Sequence, residues 1–296
     1  MPGTKDVRSA FALGFESDLA LPEMDLRDVP ADVRIVRGKV PEHLENASVA
    51  TPWYESAGRE FLLNAAGIAR YRVENGSLIT FEPLGAASDE DARVFLLGSA
   101  LPVLLLQRGL IALHGAAAVI GGQGVAILGP SHSGKTALAL ALRDRGCPLI
   151  ADEVCAIAVR DGKATILPGI PQLNAWADTL KRTGRDATHY PPIRAGLQKY
   201  AVREAGAFLG EPVPLSRVVL LVNHNVDDYQ RDPVSGAAKF KSLFSNIPFA
   251  PLFSKDPAFF MACSEIARNA SFQKITHCSE NGRPMDLADF VIKGLI

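Results

Sequence analysis

The chain has 296 residues, 48% of them apolar and 21% charged, with a formal net charge of −1. That is the composition of a globular protein long enough for two domains and a sizeable core. The near-neutral balance lacks the basic excess that a nucleic-acid or anionic-membrane surface needs, so neither partner is expected. The four cysteines, Cys147, Cys155, Cys263 and Cys278, form no C-x-x-C pair and are expected as buried free thiols in a reducing compartment. No basic segment followed by an apolar run opens the sequence, so no signal peptide is expected and the predicted location is cytoplasmic.

In chain order, residues 1–91 predict a small β-rich domain. Residues 1–50 are polar and proline-spaced, with one strand expected over 33–37 and ended by Gly38. From Trp53, strand-like runs over 60–63, 68–73 and 77–81 are separated by turn signals, and Asn75-Gly76 between the last two is a strong hairpin signature. His43 carries no motif and is expected at the surface. Ser88 or Asp89 can cap a helix predicted from Ala92 to about Gln107, where a second domain, 92–296, begins. The apolar run 97–113 is interrupted by Pro102, Gln107, Arg108 and Gly109, so it predicts a core helix rather than a membrane span.

Residues 116–120 and 125–128 flank Gly121-Gly122-Gln123-Gly124, a second hairpin signature. The stretch that follows is the most informative in the chain. Gly129-Pro130-Ser131-His132-Ser133-Gly134-Lys135-Thr136 satisfies G-x-x-x-x-G-K-[ST] at every fixed position. A fully apolar strand, 125–128, precedes it, and the helix formers of 137–142, beginning at Ala137, follow. Such a turn aims successive backbone N–H groups at one point, at the positive end of the helix, and so binds a polyphosphate. On this pattern residues 129–137 bind a nucleotide, Lys135 reaches its outer phosphates and the Thr136 hydroxyl is a ligand for Mg²⁺.

Gly146 and Pro148 stop that helix, and a short strand, 149–151, ends at Asp152-Glu153. In P-loop proteins a carboxylate at such a strand end holds Mg²⁺ beside the loop hydroxyl. Because side chains alternate along a strand, one acid is expected to hold metal while the other faces an acceptor. His114, by pattern alone, reads as a core or turn residue bonded locally. A third hairpin is predicted over 154–159 and 164–167 across Asp161-Gly162-Lys163, so the sheet should have mixed strand directions. Beyond it come a buried β-branched strand within 215–223, a polar loop over 227–233 and a helix from 237 to 244. An aromatic, proline-spaced stretch over 247–260 suits core or subunit contact, and an amphipathic helix closes the chain over 286–296. His189, His224 and His277 show no metal-binding spacing.

Residues 108–115, the glycine hairpin, the phosphate-loop motif and Leu149-Ile150-Ala151-Asp152-Glu153 together resemble the catalytic domain of the HPr kinase/phosphorylase family. The resemblance implies an α/β fold: a P-loop kinase domain of the HPr kinase/phosphoenolpyruvate carboxykinase type with a mixed sheet, besides the small β-rich N-terminal domain. It places His114 beside the transferred phosphate, makes Asp152 the base that takes the acceptor proton, and leaves Glu153, where the family has a second Asp, to the metal with Thr136. Residues 167–176 look like a segment of shorter relatives that phosphorylate a serine of ribosomal, including lasso, precursor peptides. The acidic-Ile-Arg-Gly-Leu-Gly run of HPr kinases is absent.

The function expected is therefore Mg-ATP-dependent transfer of a phosphoryl group to a serine of a peptide or protein, most of all a lasso-type precursor, with a homo-oligomer left open. The alternatives are an HPr serine kinase and a non-catalytic nucleotide sensor. The cation beside the transferring group is left among Lys199, Arg203 and Arg217.

Overall fold

The computed structural model describes residues 6–224, 226–278 and 283–295, so the first five residues and Ile296 lie outside the description. Nine strands of the first third form one sheet: β1 (Arg8–Ala10), β2 (Leu13–Ser17), β3 (Asp25–Leu26), β4 (Val33–Arg37), β5 (Val49–Ala50), β6 (Tyr54–Ala57), β7 (Glu60–Ala65), β8 (Ala69–Glu74) and β9 (Leu78–Pro83). Their order is β3-β1-β2-β4-β9-β8-β7-β6-β5. In β8, buried Ala69, Tyr71 and Val73 alternate with half-buried neighbours, the period-2 pattern of a sheet with one covered face. Asn75 and Gly76 adopt φ of 53° and 68°, the left-handed pair a two-residue hairpin requires.

The expectation of one strand within residues 1–50 is corrected, because β1, β2, β3 and β5 lie there as well as β4. These strands run two to five residues, too short for a period to show, and non-local pairing such as β2 with β4 fixes them.

Ser88 opens the connecting helix with a capping box, its hydroxyl accepting from the Asp91 N–H while the Asp91 carboxylate accepts from the Ser88 N–H. The helix runs through α1 (Asp89–Phe95), a π-helical turn (Leu96–Ala100) and α2 (Leu101–Gln107). Pro102 has no N–H to give the carbonyl of Gly98, and the widened turn sits directly before it. The helix ends at Gln107, as expected, although the apolar run continues to Leu113. Gly109 takes φ of 79° and the chain enters the next strand at Ile111.

That strand is β10 (Ile111–Ile120), followed by β11 (Gln123–Leu128), α3 (Lys135–Asp144), β12 (Leu149–Ala151), β13 (Val154–Arg160), β14 (Lys163–Ile166), β15 (Leu173–Trp176), α4 (Ala177–Arg182) and β16 (Lys199–Val202). The chain continues through β17 (Val213–Asn223), β18 (Gln230–Val234), α5 (Ala237–Ser245), α6 (Ala250–Phe253), α7 (Pro257–Asn269), β19 (Ser271–His277) and α8 (Pro284–Lys293). β11 and β19 run parallel to β17, and the other pairs of this sheet are antiparallel, so the architecture is mixed α/β. β11 also pairs with β10, which closes β10, β13, β14, β17 and β11 on one another. β15 and β16 form a separate hairpin-like pair.

The polar loop expected over 227–233 is corrected: residues 230–234 are β18, and Pro233 is accommodated because this strand lies at the sheet edge. The closing helix starts earlier than expected, at Pro284. Cys155 and Cys263 are buried as expected, but Cys147 and Cys278 are only half-buried.

α3 ends in a Schellman motif: the Cys147 N–H donates to Leu142 O and the Gly146 N–H to Arg143 O, with Gly146 at φ 79°. Its apolar side, with Leu138 and Leu142, packs on Ile127, Val219 and Ile275 of the sheet and on Leu287 and Val291 of α8. A second core runs without interruption from Phe15, Tyr71 and Phe81 of the first sheet through Leu101 and Leu104 of α2 to Leu113 and Ile157 of the second. The expected aromatic cluster contributes to this join, with the Phe249 ring edge-on to Tyr54 and Phe61. No helix among the described residues is long and apolar enough to cross a membrane.

Candidate functional site

The loop from Gly129 to Gly134 joins β11 to α3 and folds as a strand–turn–helix unit. Gly129 has φ of 152°, and a Cβ there would lie 2.3 Å from Leu221 O and 2.7 Å from Ser133 Oγ. Only glycine lets the loop pass so close to β17. His132 (φ 63°) and Gly134 (φ 91°) are left-handed, and Gly134 caps α3 without a side chain, which leaves the first-turn amides uncapped by any side chain. Lys135 is 8% exposed, and its ammonium donates to Gly129 O at 2.8 Å and Pro130 O at 2.9 Å. Burial lowers its pKa, with Asp152 and Glu153 opposing that shift. Ser133 Oγ is buried without a hydrogen-bond partner. A loop whose lysine turns back on its own carbonyls, with an orphaned hydroxyl and a glycine cradle, is a fit for a polyphosphate.

Two residues hold this loop that the sequence reading did not single out. The Asn246 side chain at the end of α5 accepts from the Gly129 N–H at 3.0 Å, while its backbone carbonyl accepts from the His114 N–H at 2.7 Å. His277, at the end of β19, donates from Nε2 to Ser133 O at 2.8 Å. These partners lie 117 and 144 residues from the loop positions they hold, so no local signal reveals them.

The acid pair lies across the cavity. His114 pairs with Val154 and Ala117 with Ala151, so Asp152 and Glu153 interrupt the strand that faces β10. Glu153 has φ of 63°, a conformation that costs a non-glycine residue about 1–2 kcal/mol. This reverses the alternation expected from a strand, and both acids line the same cavity as Lys135 and Thr136. The expectation that they face different ways is therefore corrected.

Asp152 is buried, with Oδ1 3.4 Å from the Thr136 hydroxyl and Oδ2 accepting from the Asn174 N–H at 3.2 Å. Burial, and next the charge of Glu153, push its pKa up to about 7. Glu153 is ion-paired with Lys199 and accepts from Asn174 Nδ2 at 2.8 Å. Asn174 thus fixes both acids, a role assigned to no residue of 167–176 in advance. His114 is half-buried, its ring bonded to the Glu153 backbone, and burial with the nearby Lys135 lowers its pKa so that it is neutral at pH 7.

The cavity holds about 380 Å³ and brings together His114, Ser131, His132, Gly134, Lys135, Thr136, Ala137, Asp152 and Glu153. Gly129, Pro130 and Ser133 belong to the same loop but do not line the cavity. Of the cations considered, only Lys199 is at the site. Arg203 instead donates to Pro22 O of the first sheet's turn, and Arg217 to Gln123 Oε1 at 2.8 Å. Arg182, at the end of α4, lines the cavity and was not anticipated. Asp152, Glu153 and Thr136 are oxygen donors, the kind a hard cation such as Mg²⁺ takes together with phosphate oxygens.

No family model matches the chain, and no curated protein matches its sequence. Among solved structures it is similar to the HPr(Ser) kinase/phosphatase from Coxiella burnetii, at 14% identity and a TM-score of 0.33, over 62% of this chain and 93% of that one. The likeness is weak and concerns fold alone.

Proposed function

We propose that the chain is a serine kinase that transfers the γ-phosphoryl group of ATP, as its Mg²⁺ complex, to a serine hydroxyl of a peptide or protein. The observation that carries this reading is the convergence on one cavity of a glycine-cradled loop, Lys135, Thr136 and a carboxylate whose pKa is raised to about 7. A general base works best with a pKa near the operating pH. In the transfer, the acceptor oxygen bonds to the γ-phosphorus as its proton passes to Asp152. The bond from that phosphorus to the β,γ-bridging oxygen breaks, and its electron pair leaves with ADP. Lys135 and Lys199 flank the transferring group with positive charge, and neutral His114 can donate a hydrogen bond without repelling either lysine. Mg²⁺, held by Thr136 and Glu153, would neutralise phosphate charge.

The absence of the acidic-Ile-Arg-Gly-Leu-Gly run makes HPr the weaker acceptor and a ribosomal precursor peptide of the lasso type the stronger. Calorimetric titration with Mg-ATP tests the donor side. Lys135→Ala should weaken binding at least about a hundredfold, since it removes a charge-assisted partner in a buried setting. Unchanged affinity in a folded mutant would remove the phosphate-loop assignment.

A further inference from the structure

A second cavity, of about 240 Å³, lies behind the wall formed by His114, Glu153, Asn174 and Lys199, all of which also line the first. Its far side is built by the connecting helix and the first sheet: Glu23, Arg93, Leu97, Gly98 and Ser99, with Ile193 from the segment before β16. We infer that this cavity is the acceptor subsite, that it admits one or two residues of an extended peptide bearing the serine, and that Glu23 binds a backbone N–H or ammonium of that peptide. The inference rests on the kinase reading above.

Four observations carry it. In-line transfer needs the acceptor on the side of the phosphoryl group away from the leaving group. The two cavities meet at His114 and Glu153, next in sequence to Asp152, which lines the first cavity alone. The volume falls below the roughly 300–1,000 Å³ of pockets for drug-sized ligands, which suits a short extended segment and not a folded surface.

Glu23 is held with one oxygen 2.7 Å from Arg93 Nε, while its other oxygen is buried and has no hydrogen-bond partner. A buried carboxylate oxygen left unpaired is costly, and a donor from the acceptor satisfies it. The turn that carries Glu23 is anchored by buried Leu21 and Met24 and by Arg203, which follows β16, so it is tied to the strand that bears Lys199.

The cavity also owes its room to an irregularity. Gly98 sits in the π-helical turn, a rare element found frequently at functional sites. Gly98 is an exposed residue of the lining, and a Cβ there would meet nothing within 4 Å, so a larger side chain enters open space at the cavity mouth. Gly98→Leu should therefore block the acceptor and leave the nucleotide cavity intact.

The test uses the full chain, Mg-[γ-³²P]ATP and a pool of synthetic serine-containing pentapeptides, with ATP affinity measured in parallel. Wild type should label the pool, and Gly98→Leu should lose at least about tenfold in kcat/KM with ATP affinity within about twofold. Glu23→Gln should raise KM with kcat nearly unchanged, a split that a merely structural role would not produce. Labelling by Gly98→Leu at the wild-type rate overturns the subsite and leaves the kinase reading standing. Tight ATP binding with no labelled peptide overturns the proposed occupant. A wild-type chain that does not bind Mg-ATP overturns the kinase reading and the subsite with it. Should Gly98→Leu not fold, the KM of Glu23→Gln decides: unchanged KM overturns the inference.

Discussion

Asp152 and Glu153 are adjacent, yet their surroundings differ. Glu153 gains a lysine and an amide as partners, which offset its left-handed backbone. Asp152 is walled off from water beside that second negative charge, and its pKa rises from 3.8 to about 7. The raised value has a consequence for stability. Between those two values the folded chain binds the proton more readily than the unfolded chain, so folding stability falls as pH rises, and above about pH 7 this contribution stops changing. Asp152→Asn removes the titration. The mutant should lose less stability than wild type between about pH 5 and pH 8 and should be the more stable of the two at pH 8, by on the order of a few kcal/mol. Thermal melts at both pH values check this, and identical pH dependence in the two proteins would contradict it.

At the scale of elements, what the sequence made legible was what local stereochemistry decides. The three hairpins were visible because Asn75-Gly76, Gly121-Gly122 and Asp161-Gly162 supply the paired positive φ values that tight turns demand. The glycine loop was visible for the same reason, and Gly146 marked the end of α3. Elements decided by distant partners stayed hidden: the short strands β1 to β3, edge strand β18 with its proline, and the facing of Glu153. The supports of the loop belong to this second class. Asn246 ties α5 and β10 to Gly129 through two hydrogen bonds, and its own Nδ2 donates to Ser242 O at 2.8 Å. Asn246→Ala leaves the Gly129 N–H without its acceptor, at a cost of about 1–3 kcal/mol. A lower Tm accompanied by a several-fold weaker Mg-ATP affinity is expected, the latter because the loop loses its fixed origin. A mutant that keeps both would show that the loop holds its shape unaided.

Over the whole molecule, the two sheets share one apolar core, and the turn bearing Glu23 reaches from the first sheet to the wall of the cavity behind the acid pair. An N-terminal part placed in this way suits a wall of an active site better than a detached module for docking a regulator. What distinguishes the proposed kinase from a sensor is Asp152, because a sensor needs the loop and Lys135 but has no use for a base. The most direct measurement is mass spectrometry of serine peptides after incubation with Mg-ATP and either wild type or Asp152→Asn, with nucleotide affinity measured on the same samples. Wild type should add one phosphate to serine, and Asp152→Asn should transfer about 10²–10⁴-fold more slowly, the usual worth of a positioned base, while binding ATP nearly as well. Equal rates in the two proteins, or ATP bound by both and transferred by neither, would contradict the account.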